Sequence, residues 1–378
     1  MNLVEYKKIV SKISIPADHK IKQKTYLQSG ALPVIDQGQE LVGGYTDDCQ
    51  KQIVCDLPVI VFGDHTKNVK YINFPFCAGA DGIKILKAKD DVVPKYLYYG
   101  TIFLTYCIED KGYARHYQHI EKYDLLVPPL PEQERIVAKI EELFSQLDAA
   151  VAELKSVKEK LAIYRQAVMQ NVIVQYTQDI PNVFIKDVCN EIKVGIVIKP
   201  SQYYTTPESG IKAFRSANVR EFYIDDKDWV FLSKDGHLKN KRSEVHIGDI
   251  LIVRSGYPGT ACVVTEKFDG SNAIDVLIAV PNREKITPEY LCAYTNSPLG
   301  KKLVADKKRG VAQAHLNVGG YSKISIPIPE ILVQNIIVEE IHQKVSICNN
   351  IEQTVDTALQ QAAALRQSIL KQAFEGKL

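Results

Sequence analysis

The chain has 378 residues, of which 46 % are hydrophobic, so it is long enough for two or three domains with cores of their own. Its formal net charge is only +2, which excludes a polycationic chain and confines any nucleic-acid surface to local basic patches. Its eight cysteines lack metal-ligand spacing and no apolar run approaches the ~20 residues of a membrane span, which predicts a soluble cytoplasmic protein without a bound metal.

The first part of the chain, residues 1–130, contains short apolar runs of β type such as Pro58–Phe62, separated by Gly, Pro and Asp. This punctuation predicts a mixed α/β globular domain. From Pro131 the pattern changes, because apolar residues recur at steps of three, four or seven and neither Gly nor Pro interrupts them before Pro181. The periodicity predicts a helix over residues 131–176, roughly 65 Å long at 1.5 Å per residue.

The second part of the chain repeats this order. Residues 177–330 return to short apolar runs such as Ile250–Val253 and predict a second domain of the same class. A second helical pattern occupies residues 331–378 and closes near Gly376, a residue suited to a helix C-terminus. A long apolar stripe needs a partner, and the obvious partner of the first helix is the second.

The two helical patterns form an internal repeat. Gln133 and Gln334 open them at an offset of 201 residues (334 − 133), and Arg165 and Arg366 near the far end of the match have the same offset. A register kept over so many residues indicates duplication.

The globular parts align less regularly than the helices. The offset is 180 at Gly30 and Gly210, and 192 where Phe62 is matched with Arg254. The fixed register in the helices and the drifting one in the domains predict a shared helical framework that carries two domains, each specialised on its own.

At these motifs the chain resembles the specificity (S) subunit of type I DNA restriction-modification systems. Leu130-Pro131-Glu132-Gln133 carries the first copy of a family motif, and the C-terminal string from Leu365 to Leu378 carries another in full. The segment Glu330–Val333 departs from the usual Pro-Leu-Glu but leaves Gln334 in place. The resemblance covers essentially the whole chain.

The resemblance implies an α/β (α+β) fold with two target-recognition domains, residues 1–130 and 177–330, in a pseudo-twofold relation. Each is followed by a long helix, over 131–176 and 331–378, and the helices are expected to pack as an antiparallel coiled-coil-like pair that sets a spacing. The implied function is non-catalytic and needs no cofactor: each domain reads one half of a bipartite asymmetric site in double-stranded DNA. The implied partners are two methyltransferase (M) subunits and, in the full complex, ATP-driven restriction (R) subunits, with no membrane.

Motifs for chemistry are missing from the sequence. Pro128-Pro129 lacks the amide and aromatic flanks of an amino-methyltransferase loop, and no GxxxxGK[ST] phosphate-binding loop occurs. Asp148, Glu153 and Lys155 could hold Mg²⁺ in a nuclease, but their helical pattern favours solvated surface charges. The open alternative is a non-catalytic scaffold or adaptor with two protein-binding domains on a helical pair.

DNA contacts are expected on polar loops, because base edges are read by Arg, Lys, Asn, Gln and Ser side chains. In the first domain the candidates are Gln37, Gln39, His65, Lys67, Asn68, Lys111, Tyr113, Arg115 and His116. In the second domain they are Arg215, Ser216, Asn218, Arg220, Arg254, Ser255, Tyr257, Lys308, Arg309, Gln313 and His315. Asp36 and Asp64 would repel phosphate, so any DNA contact is expected to be with cytosine N4. Trp229 is expected to pack within its domain.

Overall fold

The computed structural model describes residues 2–79, 82–109, 115–306 and 315–378. Its strands are β1 (Asn2–Glu5), β2 (Val10–Ile13), β3 (Leu32–Ile35), β4 (Gly44–Thr46), β5 (Val59–Gly63), β6 (Val69–Ile72), β7 (Cys77–Ala78), β8 (Ile83–Ala88), β9 (Asp124–Val127), β10 (Asn182–Phe184), β11 (Cys189–Val194), β12 (Tyr204–Thr205), β13 (Ile211–Phe214), β14 (Val230–Leu232), β15 (Ile250–Val253), β16 (Ala261–Val263), β17 (Asn272–Ala273), β18 (Val276–Pro281) and β19 (Ser325–Pro327). Its helices are α1 (Tyr6–Ile9), α2 (Pro94–Cys107), α3 (Tyr117–Ile120), α4 (Leu130–Thr177), α5 (Lys234–Lys239), α6 (Pro288–Asn296), α7 (Pro298–Asp306), α8 (Val318–Ser322) and α9 (Ile331–Phe374). Within the described ranges, no helix combines the length and the apolar character that a bilayer span requires.

The chain divides into two compact units whose boundaries cut through the long helices. Unit 1 comprises Met1–Lys155 and Asp356–Leu378, and unit 2 comprises Ser156–Val355. Each unit therefore contains one globular domain, the adjoining part of the long helix that follows it, and a part of the other long helix.

The main sheet of unit 1 is antiparallel in the order β2-β8-β5-β6 and is buried on both faces. Ile60 and Phe62 of β5 pack on the side of α2 and the long helices, whereas Val59 and Val61 pack into a second core. A smaller sheet, β4-β3-β7, contributes Ile35 to that second core. Burial on both faces explains why β5 is a continuous apolar run rather than an alternating one.

Unit 2 repeats this architecture. Its main antiparallel sheet has the order β11-β18-β15-β16, and its second sheet the order β12-β14-β13-β17. Ile250 and Ile252 of β15 pack on the side of α6 and the long helices, and Leu251 and Val253 pack into the second core. In each unit a two-stranded antiparallel ribbon, β1-β9 or β10-β19, adjoins the start of the long helix. The predicted fold class is confirmed.

Within each unit, α4 and α9 run antiparallel. In unit 1, Arg135 donates to the carbonyl of Leu378 (2.8 Å), and Asp148 pairs with Arg366 thirteen residues further along α4. In unit 2, Arg165 bonds Glu352 (2.8 Å) and Tyr176 bonds Glu340 (3.0 Å). Exposed ion pairs stabilise little, so the buried apolar side chains of both helices hold the pair together. The predicted antiparallel packing is confirmed for the helix segments of each unit.

The structure corrects one step of the repeat alignment. The amide of Gly63 donates to Asn68 O (2.8 Å), and the amide of Val253 donates to Thr260 O (2.9 Å), so these two strand ends correspond. Their offset is 190, whereas the sequence alignment used 192 at this strand. A shift of two residues leaves every side chain on the same face of a strand, so the hydrophobic pattern could not reveal it.

Candidate nucleic-acid interface

The first candidate loop of unit 2 follows β13 and is organised by the buried side chain of Asn218. Its Oδ1 accepts from the backbone N–H of Arg215 (3.0 Å), and its Nδ2 donates to the carbonyls of Asp225 (3.2 Å) and Lys227 (2.8 Å). The Arg215 guanidinium donates to the carbonyl of Asp228 (2.5 Å). Two side chains predicted to read DNA therefore hold this loop together.

The second and third loops of unit 2 are joined by Arg254, which follows β15. Its carbonyl accepts from the amide of Leu316 (3.0 Å), and its Nε donates to the carbonyl of Leu316 (3.0 Å). Its Nη1 also bonds the carboxylate of Asp275 (2.5 Å), so the guanidinium is occupied within the protein. These bonds fix His315, the described end of the third loop, beside the second loop.

The first and second loops enclose a cavity of about 770 Å³. Its lining includes Ser216, Val219, Arg220, Val253, Ser255 and Tyr257. Tyr257 is 84 % exposed and follows Gly256, whose positive φ of 77° lets the chain turn tightly. Lys301 of α7 pairs with Glu221 on the same lining, a contribution that the sequence did not reveal. The cavity therefore has an apolar part, and polar side chains of the two loops line the rest of it.

The first and second candidate loops of unit 1 also touch each other. The carbonyl of Gln37, just after β3, accepts from Thr66 Oγ1 (2.7 Å) and from Asn68 Nδ2 (2.8 Å). Thr66 and Asn68 lie in the hairpin between β5 and β6, where Lys67 has a positive φ of 59°. Asn68 is therefore half-buried and engaged, while Lys67 occupies the turn itself.

Asp64 ties the hairpin of unit 1 to the third loop. Its carbonyl accepts from the amide of His116 (2.9 Å), and its Oδ1 accepts from the amide of Tyr117 at the start of α3 (2.9 Å). Both Asp64 and His116 are buried. The carboxylate is used to position the loop, which gives a structural role to a residue considered above as a cytosine acceptor.

Asp36 has a comparable structural role at the first loop. Its Oδ1 accepts from the amide of Gly38 (2.9 Å) and lies 3.5 Å from Lys70 Nζ. Lys70 is only 5 % exposed, and burial lowers the pKa of its ammonium group, with the nearby Asp36 carboxylate opposing that shift. Asp36 directly precedes Gln37, so the pair holds the start of the first loop.

The candidate residues differ in accessibility. The exposed ones are Gln39, Arg115 and Tyr257. The half-buried ones are Gln37, His65, Lys67, Asn68, Arg215, Ser216, Arg220, Arg254, Ser255 and His315. His116 and Asn218 are buried, so they support the loops. Lys111, Tyr113, Lys308, Arg309 and Gln313 lie outside the described residues.

Trp229 packs within its domain, as predicted. Its ring stacks on Phe268 at 5.3 Å between centroids and meets Phe214 edge-on at 4.9 Å. Its Nε1 donates to Asp226, which also pairs with Lys212 (2.8 Å). Hydrogen bonds from Lys212, Lys267 and the Trp229 indole hold the pKa of the Asp226 carboxyl well below its usual range. Asp226 lies between Asp225 and Lys227, whose carbonyls Asn218 binds.

Comparison with known proteins identifies related sequences. The family model described as "Type I restriction modification DNA specificity domain" matches residues 8–159 and 178–361. The specificity subunits of the Escherichia coli type I restriction enzymes EcoBI and EcoKI are 27 % and 28 % identical over 275 and 280 residues, which cover 67 % and 68 % of this chain. The EcoR124I/EcoR124II specificity subunit from Escherichia coli is 24 % identical over 368 residues, covering 90 % of this chain and 86 % of that protein.

Solved structures share the fold. One chain, described under "Structural basis underlying complex assembly and conformational transition of the type I R-M system", has a TM-score of 0.73 at 16 % identity, with 100 % of this chain and 98 % of that chain covered. The HsdS subunit from Thermoanaerobacter tengcongensis has a TM-score of 0.54 at 16 % identity, with 100 % and 97 % covered. Likeness at this level of identity concerns the fold alone.

The matches to EcoBI and EcoKI span 58 % of the length of each of those subunits. The family model, in contrast, matches both repeated halves and most of the chain. The chain therefore belongs to the type I restriction-modification DNA specificity family.

Proposed function

We propose that this chain is the non-catalytic DNA-recognition subunit of a type I restriction-modification complex. In this proposal each unit reads one half of a bipartite asymmetric site in double-stranded DNA through its three-loop set. The observation that carries the proposal is that two polar loops and the described end of a third lie together in each of two similarly built units, in a chain of a DNA specificity family.

The distribution of unsatisfied polar atoms supports the same surface. Among the described residues, buried side-chain atoms without a hydrogen-bond partner are Gln37 Oε1, Lys70 Nζ, Tyr117 Oη, Arg165 Nε, Arg215 Nε and His315 Nδ1. Three of these atoms, those of Gln37, Arg215 and His315, belong to candidate loop residues, whereas Lys70 Nζ lies 3.5 Å from the Asp36 carboxylate and Tyr117 packs in the apolar core. Because buried polar groups are nearly always partnered, such a concentration favours a surface completed by a polar ligand such as DNA.

The proposed partners are two methyltransferase subunits and, in the complete complex, restriction subunits. The solved relative with the higher TM-score comes from work on the assembly of a type I R-M system, which supports an assembly role here. The long helices are the proposed frame, because α4 extends over 48 residues and thus about 72 Å at 1.5 Å per residue. That length corresponds to about two turns of B-DNA at ~34–36 Å each.

The test is co-expression with the partner methyltransferase in a host free of adenine methylation, followed by sequencing of methylated bases. We expect a split motif with one modified adenine on each strand, and no such motif when the methyltransferase is expressed without this chain. A methylated motif without a gap, or no motif at all, would overturn the proposal. A scaffold would instead bind the methyltransferase while the complex showed no preference among DNA sequences.

A further inference from the structure

One glutamine at the base of each long helix has every part of its amide engaged in the same way. In unit 1, Gln133 is completely buried and its Oε1 accepts from the backbone N–H of Val93 (2.8 Å). Its Nε2 donates to the carbonyls of Asp91 (3.0 Å) and Pro128 (2.8 Å). The side chain thus joins the start of α4 to the loop before α2 and to the residue that follows β9.

Unit 2 contains the same arrangement with different neighbours. Gln334 is completely buried, and its Oε1 accepts from the backbone N–H of Thr287 (2.8 Å). Its Nε2 donates to the carbonyls of Lys285 (3.0 Å) and Pro329 (2.8 Å). The surrounding side chains differ between the units. All three bonds go to backbone atoms, so the joint does not depend on the identity of those side chains.

The hydrogen bonds of each glutamine can fix the angle between the long helix and the shorter helix of the domain, α2 or α6. Val93 and Thr287 are the N-cap residues of α2 and α6, each followed by a proline at the first helical position. In a capping box, a glutamine of the same helix accepts from the N-cap N–H. Here a glutamine from the long helix makes that bond instead, and it therefore ties the directions of two helices together. Apolar packing is non-directional, whereas hydrogen bonds lose strength steeply as their angle changes.

The need for such a joint follows from the size of the domain. A compact domain of about 130 residues is roughly 35 Å across, so a tilt of about six degrees along its helix moves the side opposite the joint by nearly 4 Å. One base pair of B-DNA rises by about 3.4 Å. A recognition domain whose angle on its helix varied by that much would therefore fail to distinguish neighbouring half-site spacings.

We propose that Gln133 and Gln334 are positioning residues that fix the angle of each recognition domain on its long helix, and so restrict which half-site spacing is accepted. This inference rests on the proposed function. The two glutamines do not touch DNA in this account. They act through the backbone of α2 and α6.

The experiment uses the full complex with its methyltransferase and a DNA library that holds both half-sites fixed while the gap varies from two base pairs shorter to two longer. The variants Gln133→Met and Gln334→Met keep an unbranched side chain of similar length but lose all three bonds. We expect selectivity between the preferred gap and its neighbours to fall roughly tenfold in each, with both half-site sequences unchanged. Matched controls are Gln146→Met and Gln343→Met, which replace exposed glutamines on α4 and α9.

A second readout examines the joint without DNA. Hydrogen exchange at the amides of Val93 and Thr287 is expected to accelerate in the corresponding variant only, while the melting temperature of the complex stays well above the temperature at which binding is measured. If Gln133→Met yields too little folded protein, Gln133→Asn keeps a neutral amide but is one carbon shorter, so it cannot make all three bonds at once.

The outcomes separate the two proposals. Faster exchange with unchanged gap selectivity would overturn the positioning role, as would an equal loss of affinity at every gap length. If the wild-type complex itself shows no split motif, the proposed function fails and this inference falls with it. A split motif in the wild type with unaltered selectivity in both variants rejects only the inference.

Discussion

The two loop sets are braced at the same backbone position by side chains of opposite charge. In unit 1, Asp64 accepts from the third loop through its carbonyl and its carboxylate. In unit 2, Arg254 accepts through its carbonyl and donates through its guanidinium to the carbonyl of Leu316. Both residues directly follow equivalent strand ends, so the position of the brace is common to both units while its charge is not.

A second pair of equivalent positions shows the same contrast. The carbonyls of Ile35 and Phe214, at the ends of β3 and β13, each accept a bond at 2.8 Å from the amide of the residue that directly follows the neighbouring strand, Gly79 or Ile274. The residues after Ile35 and Phe214 are Asp36, which pairs with Lys70, and Arg215, which bonds the carbonyl of Asp228. At these two pairs of positions the charged side chain of the loop bonds the protein itself, so the proposed DNA contacts are expected mainly from the more accessible loop residues.

The largest expected effect comes from removing the braces. Asp64→Ala leaves the buried amide of Tyr117 without a partner, and Arg254→Ala leaves the carbonyl of Leu316 and the carboxylate of Asp275 without theirs. We expect each change to lower the free energy of unfolding of its own unit by about 3 kcal/mol. Urea unfolding measures the free energy of unfolding. Hydrogen exchange, as a separate experiment, shows whether the loss of stability lies in unit 1 or in unit 2.

Two milder variants serve as controls for the braces. Asp64→Asn keeps an acceptor for Tyr117, and Arg254→Lys keeps the charge but not the planar fork of donors. We expect each to cost less than the corresponding alanine. Equal losses for alanine and its control, or a loss spread over both units, would contradict the idea of a local brace.

The sequence predicted the long helices well because their pattern occurs twice in the chain. The long helices were visible from uninterrupted periodicity, and the matching offset of Gln133 and Gln334 marked what proves to be the same buried joint in both units. The apolar runs at β5 and β15 likewise predicted short strands, and the structure buries both faces of each. Such features depend on local pattern, which a single sequence contains.

The roles of individual loop residues were not predictable in this way. Arg254 finds its partner Leu316 at a separation of 62 residues, and the amide of Tyr117 reaches Asp64 across 53. A polar residue in a loop looks the same in sequence whether it binds protein or DNA. Asn218 and His116 were therefore counted among the readers, although the fold buries both.

A medium effect is expected when Tyr257 is replaced. This variant tests the difference between residues that hold the loops together and residues that are proposed to contact DNA. Since its side chain is exposed, Tyr257→Ala should change the free energy of unfolding by less than about 0.5 kcal/mol. We expect affinity for the half-site that unit 2 is proposed to read to fall roughly tenfold, as when a contact in a groove is lost, with the other half-site unaffected. Fluorescence anisotropy with each half-site varied in turn measures this, and Tyr204→Ala on β12 is the control. Loss of stability without loss of affinity would remove Tyr257 from the candidate readers.

The smallest expected effect is on the pH dependence of stability. It concerns one strand position at which unit 1 has a buried lysine and unit 2 a buried cysteine. Lys70 of β6 pairs with Val61, and Cys262 of β16 pairs with Leu251, which makes the two positions equivalent. Burial lowers the pKa of the Lys70 ammonium group and raises the pKa of the Cys262 thiol to about 12. The folded state therefore disfavours charge at both positions, although the two charged forms have opposite sign.

The pH dependence of stability should accordingly have opposite signs at these two positions. Between the lowered pKa of Lys70 and its ordinary value of 10.5, the unfolded state holds more protons, so this group makes the free energy of unfolding rise with pH. From pH 9.0 towards 12 the folded state holds more protons at Cys262, so that contribution falls. Urea titrations of Lys70→Met and Cys262→Ala against the wild type isolate each term as a difference. Wild type minus Lys70→Met should give a difference that rises with pH, and wild type minus Cys262→Ala a difference that falls, while other thiols whose pKa is raised by burial, such as that of Cys189, keep contributing to the total fall. Two differences of the same sign would contradict the lowered pKa of the Lys70 ammonium group.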